Sequence, residues 1–117
     1  MPTEGPRKVP VVFYQTPAGG PVVLDWLKGL PATDRATIGQ DLMRVQFRWP
    51  VGMPLCRPLG DGLWEVRSGC SGNRTARLMF CLVDGRIVLL HGFIKKTRKT
   101  PDDAMTLARD RKREFER

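Results

Sequence analysis

The sequence contains few of the residues that build metal sites and disulfides. It has one histidine, His91, and three widely spaced cysteines with no CxxC pair. A structural zinc site needs four ligands at short spacings, so none is predicted. No apolar run approaches the roughly 20 residues of a membrane span, and the first residues, MPTEGPRK, lack the apolar core of a signal peptide. We therefore expect a cytoplasmic protein with free thiols, no metal, no cofactor and no membrane partner.

Acidic residues are in the minority, and the imbalance is uneven along the chain. The 117 residues carry 20 Lys and Arg against 12 Asp and Glu, a formal net charge of +8. Residues 1–50 hold six basic and four acidic side chains, whereas residues 51–117 hold fourteen and eight. A basic surface attracts polyanions, mainly through phosphate contacts. The second half therefore carries most of the charge that favours a polyanion, but charge alone is a weak signal for nucleic-acid binding and does not indicate catalysis.

The length allows one domain, which we take to span residues 1–117. Proline and glycine divide it into short elements, and the proline- and glycine-rich stretch 50–62 is interpreted as a loop. The patterns predict a strand over 8–15, a helix starting at Pro21, a helix from Thr33 or Asp34 to about Arg48, strands over 63–67, 75–83 and 86–95, and a helix after Pro101. The expected fold class is α+β in the order β-α-α-β-β-β-α, a small antiparallel-rich sheet with an N-terminal helical hairpin and a C-terminal helix.

A hairpin turn at Asp84-Gly85 is the strongest local signal. Asp-Gly between two apolar β runs suits a type I′ turn, because that turn needs positive φ at both positions. Counting outward without interruption pairs Arg77 with Gly92. In this register Gly92 leaves an open space opposite Arg77, where a ligand can approach. His91 and Phe93 then lie on the opposite face from Arg77.

Basic residues gather around this hairpin. Arg67 ends the preceding strand and Arg77 begins the next, which brings both towards the same region. A basic run follows directly: Lys95, Lys96, Arg98 and Lys99. From the residues alone, such a run is also typical of a solvated loop, and the two arginines of ion pairs with Glu65 or a helix carboxylate. A histidine such as His91, between Leu90 and Gly92 in an apolar strand, is more often a core or edge histidine than a catalyst.

Three segments of the second half resemble a known toxin family. They are LWEVR at 63–67, ARL at 76–78 and LLHGFIKKTRKTP at 89–101. These are similar to the phage-derived HigB-like branch of the RelE/ParE toxin superfamily, whose members carry an LWE-[LV]-R strand, a yR strand and an LLHGF-x-KKT-x-KTP stretch before a final helix. The similarity covers roughly residues 59–110. It departs at Ala76, where the family often has an aromatic or bulkier residue.

The resemblance implies a RelE-like fold and the toxin of a type II toxin–antitoxin system, acting as a ribosome-dependent mRNA endonuclease that inhibits translation. The implied partners are the ribosome, mRNA and a cognate helix-turn-helix antitoxin. By position, it implies catalytic roles for Arg67, Arg77, Lys95, Lys96 and His91, and RNA-binding roles for Lys99, Arg98 and Phe93. In this chemistry the RNA supplies its own nucleophile, the 2′-hydroxyl, and arginine forks suit the phosphate oxygens.

The role of His91 stays open at this stage. The uninterrupted register separates His91 from Arg77, which favours a structural histidine unless strand twist or a bulge at Gly92 brings the two together. Two other functions share the expected architecture. One is a ParE-like inhibitor of DNA gyrase, and the other is a non-catalytic module of phage origin that uses the basic face to hold RNA or an acidic protein. Arg67, Arg77 and the lysine-rich run favour the nuclease.

Overall fold

The computed structural model describes residues 8–95 and 100–116. Within these residues, three helices and a five-stranded mixed sheet form the α+β fold that the sequence predicts. The elements are β1 (Val11–Phe13), α1 (Val22–Lys28), α2 (Ala32–Arg48), β2 (Cys56–Gly60), β3 (Leu63–Cys70), β4 (Arg74–Val83), β5 (Arg86–Lys95) and α3 (Asp102–Glu116).

The sheet has the strand order β1-β5-β4-β3-β2. β1 pairs with β5 in parallel, and the other neighbours are antiparallel. β1 lies at one edge, as expected of a strand that directly follows Pro10, because proline cannot donate to a central ladder. The helical hairpin α1–α2 packs on one face of the sheet and α3 on the other.

One strand was missed by the sequence analysis, because the stretch 50–62 was interpreted as a loop. Cys56–Gly60 forms edge strand β2, so the order is β-α-α-β-β-β-β-α. The turn into β3 has positive φ at Gly60, Asp61 and Gly62, at 91°, 55° and 75°. Two of these positions are glycine, which adopts that backbone without steric cost. The turn reverses the chain and pairs β2 antiparallel to β3.

Two apolar layers enclose the sheet because β residues alternate between its faces. The layer on the α1–α2 side contains Val23, Ile38, Val45, Cys56, Val66, Ala76, Leu78, Phe80, Ile87 and Leu89. The layer on the α3 side contains Tyr14, Leu63, Met79, Cys81, Val88, Leu90, Ala104 and Ala108. Helices therefore cover both faces of the hairpin strands.

The predicted hairpin is present, but its register changes halfway along. Asp84 and Gly85 have φ of 51° and 74°, as a type I′ turn requires. The pairs run as predicted until Phe80 meets Leu89, and the next pair is Met79 with His91. Leu90 is thus the extra residue of a β-bulge. Predicting an uninterrupted register was wrong from this point to the end of β5.

All three cysteines lie among the described residues and are free thiols, as expected. Burial raises the pKa of Cys56 to about 11 and that of Cys81 to about 11, which keeps both protonated and unreactive. Across the described ranges 8–95 and 100–116, no helix has the length and apolar character needed to cross a bilayer.

Candidate nucleic-acid interface

The sheet face that packs against α3 is apolar in one half and charged in the other. In the charged half, β2 and β3 pair Arg57 with Glu65, and β3 and β4 pair Arg67 with Arg77. The two pairs are adjacent and share a face, because residues two apart on a strand point the same way. Three guanidinium groups therefore meet one carboxylate in this region, which gives it a positive charge.

Arg77 is the most deeply buried arginine of this cluster, and it forms a buried ion pair. Its side chain is 1% exposed, and its Nη1 donates to Oε1 of Glu65 at 3.3 Å, with Glu65 fully buried. The hydroxyl of Thr100, just before α3, donates to the other oxygen, Oε2, of Glu65 at 2.8 Å. Both oxygens of the buried carboxylate thus have a donor, as a buried charge requires. This triad joins β3, β4 and the start of α3.

Arg57 and Arg67 lie on the same sheet face as the triad and are more exposed than Arg77, since each is only half-buried. In the described part of the chain, neither has a carboxylate within 4.0 Å. The Nε of Arg67 is buried and has no hydrogen-bond partner among residues 8–95 and 100–116. Like charges directly across two strands destabilise a sheet, and an anion bound between them offsets that cost. The geometry therefore suits a phosphate group.

The electrostatics of Arg77 agree with a crowded positive cluster. Burial lowers the pKa of Arg77 from its ordinary value, because a low-dielectric environment disfavours the charged form. The positive charges of Arg67 and Arg57 lower this pKa further, whereas the carboxylate of Glu65 raises it. The charges of Arg57, Arg67 and Glu65 thus all act on the guanidinium of Arg77. A bound anion would relieve the repulsion between the three guanidinium groups.

The Leu90 bulge brings two aromatic residues to this face. His91 now pairs with Met79, and Phe93 pairs with Arg77. The two rings stack with centroids 5.4 Å apart and planes 26° from parallel. Both line a cavity of about 290 Å³ against the first turns of α3. A flat apolar wall beside a positively charged arginine cluster has the chemistry that a nucleotide needs, with a surface for the base and cations for the phosphate.

His91 is half-buried, and its environment favours the neutral imidazole. Burial lowers the pKa of His91 below its ordinary value of 6.5, the positive charge of Arg111 lowers it further, and Asp103 opposes the shift. A neutral imidazole near pH 7 can accept a proton. His91 is thus partly buried in the sheet and also lines the cavity.

The remaining predicted site residues fall into two groups. Lys95 ends β5 and its backbone pairs with Thr75, which puts it at a register position on the same face as Phe93. The others lie outside the described residues: Lys96, Arg98 and Lys99.

Gly92 was predicted to leave an open space opposite Arg77, and this prediction was wrong. The bulge turns Gly92 to the α1–α2 face, where it pairs with Leu78. A Cβ built there would lie 3.0 Å or less from three ring carbons of Trp26. The space beside the glycine is filled by that indole, so Gly92 serves packing rather than ligand access.

Sequence reasoning missed Arg57, because its strand was missed. A signal was present: Gly60-Asp61-Gly62 stands between the short runs 55–59 and 63–67, which is the pattern of a tight hairpin. In that hairpin Arg57 lies next to Glu65. The described residues 8–95 and 100–116 bring together no three His, Cys, Asp or Glu side chains that could hold a metal ion.

Comparison with known proteins identifies the family. Residues 25–113 match the model of the family described as "Phage derived protein Gp49-like (DUF891)". No curated protein matches the chain. The matched range runs from within α1 to within α3 and so includes the whole arginine cluster. The chain therefore belongs to the phage-derived Gp49-like family, a RelE-like family of toxin type.

Proposed function

We propose that this protein is the toxin of a type II toxin–antitoxin system, of the HigB branch, and that it cleaves mRNA on translating ribosomes. Its partners in this proposal are the ribosome, mRNA and a cognate helix-turn-helix antitoxin. The observation that carries the proposal is the bulge at Leu90. It places His91 and Phe93 on the face that already holds Arg67 and Arg77.

In the proposed reaction the RNA supplies the nucleophile. The 2′-oxygen attacks the adjacent phosphorus, a 2′-O–P bond forms, and the bond to the 5′-oxygen of the next nucleotide breaks. A base on the protein takes the 2′-proton, and the departing 5′-oxygen gains one. The products end in a 2′,3′-cyclic phosphate and a 5′-hydroxyl. The enzyme's part is to orient these groups and stabilise the negative charge that grows on the phosphate oxygens.

Each residue then has a distinct task. Arg67 and Arg57, which are half-buried and unpaired with carboxylates in the described ranges, hold the phosphate oxygens. Arg77 is too deeply buried to be the main phosphate ligand, and it orders Glu65 and adds positive potential from below. His91 acts as the base and Phe93 stacks on a base of the RNA. Lys95, Lys96, Arg98 and Lys99 complete the basic surface by resemblance.

One observation favours a second candidate, the non-catalytic binding module. Arg77, a central residue of the implied nuclease site, is held by Glu65 and Thr100. A binding module needs the surface charge of Arg57 and Arg67 and no group to move protons. A ParE-like gyrase inhibitor would share the fold, but no feature of this geometry favours that function separately.

The test is mRNA cleavage on programmed ribosomes with matched variants. The principal variant is Arg67→Ala, since Arg67 is half-buried and joins no ion pair in the described residues. The control is Arg113→Ala, whose side chain is 67% exposed on α3. Naked RNA and a gyrase supercoiling assay accompany each protein. We expect the wild type and the control to cut ribosome-bound mRNA, and Arg67→Ala to slow cutting at least about 100-fold.

The outcomes separate the candidates. Fragments that carry 2′,3′-cyclic phosphate ends and are lost in Arg67→Ala support the nuclease. RNA binding by the wild type without cutting, weakened in Arg67→Ala, would replace it with the binding module. Inhibited supercoiling without RNA cleavage would replace it with the gyrase inhibitor. Circular dichroism of each variant checks that the fold persists.

A further inference from the structure

The outward face of α2 carries an apolar stripe that nothing in the described chain covers. Met43 and Phe47 are 51% and 43% exposed, although such side chains normally lie in a core. They are four residues apart and therefore adjacent on one helical face. With Gln40 and two arginines of the same helix they line a shallow groove of about 350 Å³ that is open to solvent. One turn earlier, a Cβ on Gly39 would meet nothing within 4 Å, so another backbone can approach closely there.

Positive charge borders this stripe. Arg44 and Arg48 line the groove beside Met43 and Phe47. Both carboxylates of the helix, Asp34 and Asp41, are buried. Asp34 accepts hydrogen bonds from Arg74 and Ser71, which turns its charge away from the groove.

Asp41 offsets the charge of one rim arginine, Arg44, whereas Arg48 has no carboxylate within 4.0 Å among the described residues. Asp41 bonds to one nitrogen of Arg44 at 2.5 Å, and the Arg44 side chain still stays 56% exposed. The outward side of α2 is thus apolar along its middle and positive along its edge.

We propose that this α2 stripe, formed by Gly39, Met43 and Phe47 with Arg44 and Arg48 at its rim, is a docking site for an acidic amphipathic helix of a partner protein. Apolar anchors spaced three or four residues apart on the partner helix would pack against Met43 and Phe47, as in the contact between two amphipathic helices. Glutamate or aspartate beside those anchors meets the rim arginines, which sets the orientation and raises the association rate. The occupant is thus defined by both its apolar spacing and its charge.

A second copy of this chain fits the stripe less well. In a two-fold dimer each patch meets its own equivalent, so Arg44 and Arg48 of both copies would approach one another. Like charges brought together at an interface oppose association. A partner of opposite charge avoids that repulsion and covers the same apolar side chains.

The docking site is independent of the proposed nuclease. α2 packs on one sheet face, whereas Arg57, Arg67 and Arg77 lie on the other. A helix bound on α2 therefore leaves the arginine cluster uncovered. Loss of docking and loss of RNA cleavage are distinguishable, because substitutions in the stripe touch no residue of the cluster.

The experiment measures binding of two designed helical peptides, each about 20 residues long so that the helix is stable. One carries leucine at core positions and glutamate beside them, and the other carries lysine in place of every glutamate. Fluorescence anisotropy measures the Kd of each peptide for the full chain. We expect the glutamate peptide to bind at least about tenfold more tightly than the lysine peptide. We also expect Phe47→Gln to weaken it about tenfold or more.

Matched variants make the test specific. The pair Arg44→Glu and Arg48→Glu in one chain should reverse the preference towards the lysine peptide. Leu82→Gln removes an exposed apolar residue elsewhere, and Arg113→Glu reverses an exposed charge on α3, so both should leave the Kd unchanged. Thermal unfolding confirms that each variant is folded.

Several outcomes would overturn the proposal. One is equal affinity for the two peptides, or no binding of either. Another is a loss of affinity in Leu82→Gln that matches the loss in Phe47→Gln. Sedimentation of the wild type that shows self-association abolished by Phe47→Gln would assign the stripe to a second copy instead.

Discussion

The two faces of the sheet are built from the same strands, but one is apolar and the other is partly charged. On the α1–α2 face, large apolar side chains interlock: Trp49 meets the rings of Trp64 and Phe80 edge-on at 4.9 and 5.5 Å, and Trp26 fills the space beside Gly92. The α3 face is apolar only in part, and its other half holds the arginine cluster. Close packing stabilises a fold, whereas buried charge contributes little net stability. The first face is therefore stabilised by packing throughout, whereas the charged half of the second keeps charge in position at some cost.

Among substitutions that test this comparison, removing Arg77 should lower the free energy of unfolding the most. Arg77→Met leaves the fully buried carboxylate of Glu65 without its ion-pair partner. We expect the free energy of unfolding to fall by about 3–5 kcal/mol, because an uncompensated buried charge is strongly destabilising. Urea denaturation followed by tryptophan fluorescence measures this.

The matched control is the double variant Glu65→Gln with Arg77→Met, which removes both charges. It should recover part of the loss, because a neutral amide is much less costly to bury than a carboxylate. A single variant as stable as the wild type would show that the pair is not held as described.

Crowding the packed face should have the next largest effect. Gly92→Ala places a methyl group against the Trp26 ring, with ring carbons at 3.0 Å or less. We expect a loss of about 1–3 kcal/mol, the usual cost of overpacking a core. Thermal or urea unfolding measures it.

Gly69 provides a matched strand glycine, since a Cβ there meets nothing within 4 Å. Gly69→Ala should therefore be close to neutral. Trp26→Leu should reduce the penalty of Gly92→Ala when the two are combined, as expected of residues in direct contact. Equal losses for both glycine variants would contradict the packing role of Gly92.

The smallest expected effect concerns the pH dependence contributed by His91. Its pKa is lowered in the folded protein, mainly by burial, and stays near 6.5 in the unfolded chain. As the pH falls below about 6.5, the unfolded state takes up a proton first, so this residue makes the folded state less stable in acid. Above that pH it contributes no such dependence.

Comparison with His91→Asn isolates this contribution from the other titrating groups. Unfolding free energies measured above and below about pH 6.5 should fall more steeply with acid in the wild type than in the variant. Parallel pH profiles would indicate that the imidazole is not held in its neutral form.

Local sequence patterns predicted most of the fold. Asp84-Gly85 identified the hairpin, and the prolines and apolar spacing gave the helices to within a few residues of their observed ends. β2 was missed because Pro54 and Pro58 resemble loop punctuation, yet an edge strand tolerates proline. The missed strand also concealed Arg57, the residue that completes the arginine cluster.

The side chains of β5 beyond the bulge were predicted on the wrong face, because side chains alternate strictly between the two faces of a sheet. A slip of one residue moves every following side chain across the sheet. The sequence contains no turn or glycine at Leu90 to mark the extra residue. The reversal is therefore confined to the segment after Leu90, which includes His91, Gly92 and Phe93.

The sequence by itself determined the α+β class, the hairpin and the concentration of basic residues near its end, since these depend on periodicity, turn chemistry and composition. Only the tertiary structure decided which side chains share a face. Arg111 on α3 donates to the carbonyl oxygen of Leu90 at 2.8 Å, and Trp26 on α1 occupies the space beside Gly92. These contacts from both layers stabilise the bulge. They join residues far apart in the chain, so the local sequence could suggest a bulge near Gly92 but could not place it at Leu90.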